Sequence, residues 1–397
     1  MTFTRRLRLA LIGGSLLAAL APAVASAQQA APAPAPVAAA TPAPTPTPAP
    51  SSTSAFDEVW GAARLYRNEQ SDVLNEVRLI GRFHLDNYVV DADQGDDSEL
   101  IVRRTRLGAR AKLFHNLDVQ VETELNLEGG PVYSRLTDAY LAYTFSDEAR
   151  VIVGKQGVKF TLDGATSSNE LLTIDRGNVA NNVWFPEEYM TGISLTGRSD
   201  GWNYTGGVFS SGRKNSDFGH FDGGALVLAS VGRDFGRQLG LKRAVVRLDY
   251  VHNEADTDNN LTRNFGNVGS LVVMLAQDHW GVSGELTHGD GYLGQSNVTG
   301  TTIMPWVSLT SRLQAVGRYT FLDSGRNNGL RLARYENTVA GGRGDQYQEI
   351  YGGLNYFLYG HKLKLQTGLA YANMRDRAND GGAYDGISWT TGLRISF

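Results

Sequence analysis

Basic side chains recur at even spacing early in the chain: Arg78 and Arg82, then Arg104, Arg106, Arg110 and Lys112. On extended backbone this spacing puts each set on one face, because side chains alternate with period 2. A wall of guanidinium groups has one obvious chemistry. Its planar forks bind the oxygens of phosphate and similar oxyanions in pairs. In a low-dielectric tube such a row focuses field lines and steers anions. Arg247, Arg318, Lys362, Lys364 and Arg394 extend the row in later segments. Asp118, Glu122, Glu124, Asp138 and Asp249 share the same face. A charge-balanced, weakly selective lumen is therefore the competing expectation.

A second group of polar residues lies on the stretch Gly157 to Glu188, which is too long for a turn and needs a reason. Lys155 and Lys159 stand at its base, Thr166-Ser167-Ser168-Asn169 in its body, and Asp175-Arg176 further on. Hydroxyls, amides and cations are the donors an oxyanion meets as it sheds water. Leu171, Leu172, Ile174, Trp184 and Phe185 need burial, which argues for a loop folded inward over a loop left in solvent. The acids Asp163, Glu170, Asp175, Glu187 and Glu188 temper its basic character.

The elements that must position these groups are strands. From about Asn75 the chain repeats half-apolar segments: Leu107, Ala109 and Ala111 against Arg106, Arg110 and Lys112, or Val119, Val121 and Leu125 against Asp118, Gln120 and Glu124. The last segment, Ile387 to Phe397, alternates in the same way and ends on an aromatic. Apolar-out and polar-in is the demand of a barrel with lipid outside and water inside. Short connections (His115-Asn116, Ser146 to Glu148, Ser199 to Gly201, Gln277-Asp278, Thr310-Ser311, Tyr359 to His361) alternate with long ones, beginning with Asp91 to Ser98. Short periplasmic turns and long extracellular loops are the mark of an outer-membrane barrel. The expected fold is all-β: a transmembrane antiparallel β-barrel of about sixteen strands, with an inward-folded third extracellular loop. Aromatics near strand ends, such as Tyr143, Phe145, Tyr319, Phe321 and Trp389, fit interfacial girdles.

Composition agrees. The hydrophobic fraction is only 42%, as expected when alternation averages hydropathy out over any window. The chain has no cysteine, which excludes disulfides and thiolate metal sites, and a net charge of −4, which announces no nucleic-acid partner. Residues 1–27 read as a cleaved signal peptide: Arg5, Arg6 and Arg8, an apolar core from Leu9 to Leu20, and Ala25-Ser26-Ala27. Residues 28–55 read as an Ala/Pro-rich periplasmic linker, residues 56–74 as a short periplasmic segment, and residues 75–397 as the barrel.

Other chemistries find less support. Asp91, Asp93, Asp96, Asp97 and Glu99 surround Gly95 but lack the calcium-loop spacing, so they read as a solvated loop; bridging to lipopolysaccharide through divalent ions is another use. The histidines are scattered, with none at metal-ligand spacing. A barrel hydrolase needs a Ser–His pair and a third group; neither Ser283 with His288 nor His84 with Ser98 supplies one. No cofactor and no enzymatic activity are expected.

Several motifs together resemble the phosphate-selective porin (O and P) family. They are Leu136-Thr137-Asp138-Ala139-Tyr140, Val153-Gly154-Lys155-Gln156 running into Ala165-Thr166-Ser167-Ser168, Thr173-Ile174-Asp175-Arg176, Gly353-Leu354-Asn355-Tyr356-Phe357, and Lys362 to Leu369. The resemblance covers about Asn75 to Phe397. It implies a homotrimeric sixteen-stranded channel in the outer membrane of a Gram-negative bacterium, with the N-terminus in the periplasm. It also implies an arginine ladder leading anions to a basic, hydroxyl-lined constriction, with phosphate or polyphosphate among the permeants. The resulting expectation is passive diffusion of small anions, phosphate or related oxyanions, through a water-filled pore lined by Arg and Lys, against the alternative of a general diffusion porin with weak selectivity.

Overall fold

A computed structural model describes residues 54–184, 188–213, 215, 217–259 and 261–397. The expected signal peptide and nearly all of the Ala/Pro-rich linker fall outside the described residues, as do Phe185, Pro186 and Glu187. From residue 74 the chain forms sixteen long strands: β1 (Leu74–Ala92), β2 (Gly95–Leu113), β3 (Leu117–Leu125), β4 (Tyr133–Ser146), β5 (Ala149–Gly157), β6 (Tyr189–Ser199), β7 (Trp202–Arg213) and β8 (Gly219–Asp234). They continue as β9 (Arg243–Asn253), β10 (Phe265–Ala276), β11 (Trp280–Gly291), β12 (Val298–Ser308), β13 (Leu313–Ser324), β14 (Gln346–Tyr359), β15 (Leu363–Arg375) and β16 (Tyr384–Ser396). Each pairs antiparallel with its neighbours in sequence, and β16 pairs with β1 from Gly386 opposite Ala92 to Ser396 opposite Arg82. The sheet is thereby closed, which removes the open edge that a bilayer does not tolerate.

The two faces are inverted relative to a water-soluble protein. Leu107, Val121, Ile193, Leu248, Ile303, Ile350 and Leu369 are exposed on the outside. Arg106, Glu122, Asp249, Glu285, Thr320, Lys364 and Gln366, at alternate positions, are buried inside. No helix among the described residues is long and apolar enough to cross a membrane; the crossing is made by strands.

The long connections gather at one end, residues 126–132, 158–188, 254–264, 325–345 and 376–383, and most of the short ones at the other. Two places depart from the expected alternation. The stretch Asp91 to Ser98, expected as the first long loop, is a tight hairpin: β1 and β2 run to Ala92 and Gly95, leaving Asp93 and Gln94 as the turn. Gly95 has φ +142, which a side chain seldom adopts, and so allows the chain to reverse in two residues. Alternation with acidic residues carries no apolar signal, which is why these strand ends look like loop in the sequence. At the short-turn end, residues 235–242 form an eight-residue connection holding a single helical turn, Gly236–Leu239.

Ahead of the barrel, α1 (Ala55–Gly61) is capped by Ser54 through a reciprocal bond pair with Asp57. The Trp60 indole donates to the Ser396 carbonyl at 2.6 Å, and Phe56 stacks on Tyr359 with centroids 5.4 Å apart. A short strand, Arg64–Arg67, then pairs with β1 at Glu76, Val77 and Arg78.

Candidate functional site

The connection 158–188 is held by the inner face of the wall. The Thr161 and Leu162 amides donate to Asp249 and Glu285, both at 2.9 Å. In return, cations on the strands donate to its carbonyl oxygens: Arg247 to Thr161 at 2.6 Å, Lys364 to Leu171 at 2.6 Å, Arg318 to Asp175 at 3.0 Å and Arg394 to Ile174 at 3.0 Å. Three of these four also hold a carboxylate: Arg247 with Asp249, Arg318 with Glu349, Arg394 with Asp86. Buried cations of this kind are stable because each is both paired and hydrogen-bonded. Four of the strand cations expected in an anion ladder thus serve as tethers for a loop. Inside the connection, α2 (Asn178–Val183) buries Val179, Ala180 and Val183, and Trp184 follows them into one cluster with Phe209, Leu228, Leu330 and Leu332. The Trp184 indole donates to the Val158 carbonyl at 2.9 Å.

The cations of β1 and β2 are arranged differently. The pairing of β1 with β2 slips between His84 opposite Arg104 and Leu85 opposite Val102, leaving Arg103 as an extra residue. Such a bulge re-aims side chains. In consequence the sequence neighbours Arg103 and Arg104 both reach the 158–188 connection, Arg103 to Asp175 at 3.3 Å and Arg104 toward Glu188 at 3.8 Å. Strict alternation turns Arg103 outward, so sequence reasoning misses it; nothing in the composition of Val102 to Thr105 signals a bulge.

Two cavities meet here, of about 320 and about 270 Å³. Arg176, Trp184 and Glu188 line both and form the septum between them. Arg176 donates from Nε to the Asp163 carbonyl at 2.9 Å, lies over the Trp184 ring at 4.6 Å, and approaches Glu188 at 3.4 Å. Burial opposes ionisation of Glu188, but Arg176, Arg104 and Arg106 outweigh it and hold the carboxyl at about 2. Asp175 is likewise buried, and Arg103, Arg334 and Arg104 hold it well below the usual carboxylate range. Both acids are charged at neutral pH, so they offset part of the guanidinium charge around them.

The remaining expected residues divide by place. Arg82 bonds Glu122 at 3.2 Å and Ser168 at 3.0 Å, and with Lys159, Thr166, Ser167 and Ser168 it lines the second cavity. Arg106 is buried beside Tyr189, Glu124 and Glu188, and Arg110 pairs with Asp118 at 2.9 Å. Thr166 spends its hydroxyl proton on the Leu162 carbonyl at 2.8 Å, and Lys155 is buried on β5. Arg78 sits opposite Arg110, and Asn169 lines neither cavity. Lys112 is exposed, and Lys362 lies in the turn before β15 with its ammonium over the Tyr359 ring at 5.1 Å.

Ser283 and His288 fall on opposite faces of β11, and His288 instead meets Thr299 and Asp290. Among the described residues no three carboxylates or histidines come together as a metal site. The arrangement can do electrostatics and hydrogen bonding across a narrow, polar section.

Comparison with known proteins fits this picture. The model of the family described as "Phosphate-selective porin O and P" matches residues 77–270. No curated protein sequence matches significantly. Among solved structures, the anion-selective porin from Comamonas acidovorans superposes with a TM-score of 0.56 at 15% identity, covering 81% of this chain and 99% of that one. The outer membrane channel DcaP of Acinetobacter baumannii gives 0.54 at 12% identity, covering 84% of this chain and 100% of that one. The trimer form of OmpT, an outer membrane protein of Vibrio cholerae, gives 0.52 at 12% identity, covering 81% and 99%. These likenesses establish the fold, an outer-membrane porin barrel. The family likeness, carried by residues 77–270, is to the phosphate-selective porins O and P.

Proposed function

We propose that this porin is a passive channel for small anions, phosphate-type oxyanions among them, and that its narrow section is the septum of Arg176, Trp184 and Glu188 beside Arg103 and Arg104. The observation that carries the reading is the β-bulge that turns two consecutive arginines toward the same loop. Arg104 supports it further. Its nearest carboxylate oxygens are at 3.7 and 3.8 Å, ion-pair contacts outside hydrogen-bond distance, and its buried Nε makes no hydrogen bond. A buried guanidinium with unused donors is suited to a permeating anion that has lost part of its water.

In this reading the 158–188 connection folds inward and narrows the lumen, the long loops are extracellular, and the termini are periplasmic. An anion enters between the long loops and occupies the larger cavity. It then passes Arg104 and Arg176 with a few water ligands replaced by guanidinium N–H groups, and leaves through the cavity lined by Arg82 and the Thr166 to Ser168 hydroxyls. Neither energy coupling nor covalent chemistry is involved. Assembly as a homotrimer is part of the proposal, supported by the trimer form of a protein with this fold.

General diffusion with weak selectivity is the second reading, favoured by Glu124 and Glu188 close to Arg104 and Arg176. The zero-current potential of single channels in a planar bilayer under a KCl gradient separates the two, followed by titration with phosphate. Chloride-selective current that phosphate blocks supports the oxyanion channel. Unselective or cation-selective current, indifferent to phosphate, leaves the general porin.

A further inference from the structure

The connection 325–345 is also tied to the inner face of the wall. Its two limbs are fixed. Leu330–Arg331 pairs with Arg343–Gly344, and Leu330 and Leu332 are buried in the cluster that holds α2. Three asparagines of α2 grip the first limb. Asn178 and Asn182 donate to the Arg331 carbonyl at 2.9 and 3.0 Å, and Asn181 donates to the Leu332 carbonyl at 2.8 Å. Between the limbs lies a tip, residues 333–342, built on one 3-10 turn, Glu336–Thr338.

Three consecutive side chains of this tip fan out to three different elements. Arg334 donates from Nε to Asp175 in the connection 158–188 at 3.0 Å. Tyr335 donates to Asp86 on β1 at 2.5 Å and stacks on Tyr88, with centroids 4.6 Å apart. Glu336 accepts from Tyr347 on β14 at 2.8 Å. The three attachments are unequal. Arg334 is half-exposed, and an ion pair open to water is worth little. Glu336 returns to the strand on which the connection itself ends, so it spans nothing. Tyr335 and Asp86 are both buried, and a hydrogen bond to a buried carboxylate is among the stronger kinds. Tyr335 is therefore the attachment that holds the tip across to β1. Asp86 also pairs with Arg394, so loss of the phenol does not strand a buried charge. Cavities lie on both sides of the tip. The larger septum cavity, of about 320 Å³, is lined by Arg334, Tyr335 and Glu336 as well as by the septum. Another, of about 300 Å³, is lined by Arg334, Asn337, Gly341 and Gly342. Arg334, Asn181 and Arg263 line both, so the two spaces adjoin at the tip.

We infer that the tip 333–342 is a second narrow section in series with the septum, and that Tyr335 is its specificity-determining residue, setting the size of solute admitted to the larger cavity from the long-loop end. The inference rests on the reading that solute crosses the larger cavity. It concerns the size of the solute and holds whatever its charge. Tyr335 acts by position: its ring and its bond to Asp86 keep the tip against β1, and the gap left beside Arg334 is what a solute must pass.

The chain has no cysteine, so a single introduced thiol reports access. Thr390 lines the larger cavity and Ser167 the second one, beyond the septum. Thr390→Cys and Ser167→Cys are each made in the detergent-solubilised full chain. Adduct formation is followed by mass with N-ethylmaleimide and with a maleimide carrying a polyethylene glycol chain. Both reagents are neutral, and the ratio of their rates cancels the reactivity of the thiol. At Thr390→Cys the bulky reagent lags. Adding Tyr335→Ala raises its rate by about tenfold or more, the loss of a bond to a charged group, and moves the small reagent far less. Tyr335→Phe, which keeps the ring on Tyr88 and loses the bond, falls between. At Ser167→Cys the same changes leave both rates within about twofold, as distant sites act independently. Circular dichroism confirms that each variant keeps its barrel; should Tyr335→Ala lose it, Tyr335→Phe carries the test. A rate ratio at Thr390→Cys that neither Tyr335 variant moves overturns the inference. Equal acceleration at Ser167→Cys overturns it too, as the sign of a loosened barrel. An adduct at Thr390→Cys that leaves single-channel current unchanged fails the conduction reading, and the inference with it.

Discussion

Replacing Arg104 with glutamine tests the conduction reading at its most sensitive atom. The side chain is 6% exposed, approaches Glu124 and Glu188 only at 3.7 and 3.8 Å, and makes no hydrogen bond through Nε. Glutamine keeps a polar head and removes one positive charge. For a chloride passing at about 6 Å in an effective dielectric near 20, that charge is worth about 3 kcal/mol. Screening over a Debye length of about 8–10 Å roughly halves this, to about 1.5 kcal/mol, or about tenfold in local anion occupancy. The readout is the zero-current potential under a tenfold KCl gradient, where ideal anion selectivity gives about 59 mV. A fall in the chloride-to-potassium permeability ratio from about 10 to about 1 moves the potential by roughly 40 mV toward zero. Arg104→Lys retains the charge and most of the selectivity. The reasoning fails if Arg104→Gln leaves the potential in place, or if the unmodified channel already prefers potassium.

Three other perturbations address the fold around the pore. Glu336, in the connection 325–345, is pushed up to about 8 by burial and by Glu349, from an ordinary value of 4.5. The folded barrel therefore holds a proton that the unfolded chain releases between those values. Stability from this group is greatest below the lower value, falls as pH rises toward about 8 and is flat above; Glu336→Gln should flatten the slope of thermal midpoint against pH. Trp60→Ala removes a bond to Ser396 and ring contacts with Phe56 and Tyr359, costing about 1–2 kcal/mol in thermal unfolding while leaving conductance unchanged. Leu248→Arg, on the exposed outer face of β9, should cost about 2–4 kcal/mol in lipid if that face meets the membrane core, and far less if it does not.

The barrel was legible in the sequence because its rule is local and repeated: Val119, Val121 and Leu125 against Asp118, Gln120 and Glu124 states both faces within eight residues. The same rule failed where a strand broke period. It could not see the bulge at Arg103, since an extra residue changes the phase without changing the residue types. It read Asp91 to Ser98 as loop because both faces there are polar. Partners across the lumen are likewise invisible to spacing. Alternation puts Arg247, Arg318, Lys364 and Arg394 on the inner face, but that each grips a carbonyl of one loop depends on contacts 86 to 220 residues apart in sequence. Arg334, Tyr335 and Glu336 lie in a connection, where no periodicity exists to single them out.

The seam between the first and last strands has a consequence for assembly. β16 stops pairing at Ser396 opposite Arg82, while β1 begins eight residues earlier, at Leu74. The strand Arg64–Arg67 takes up part of the remainder, against Glu76 to Arg78, and α1 rests on the Ser396 carbonyl. The landing place for residues 54–67 is thus made jointly by the two ends of the barrel, and it exists only once they have met. A chain whose sheet is still open has nowhere to dock this segment. A protease that cuts between α1 and β1 would therefore distinguish the unclosed intermediate from the finished channel, and the decay of its cleavage would time the closure.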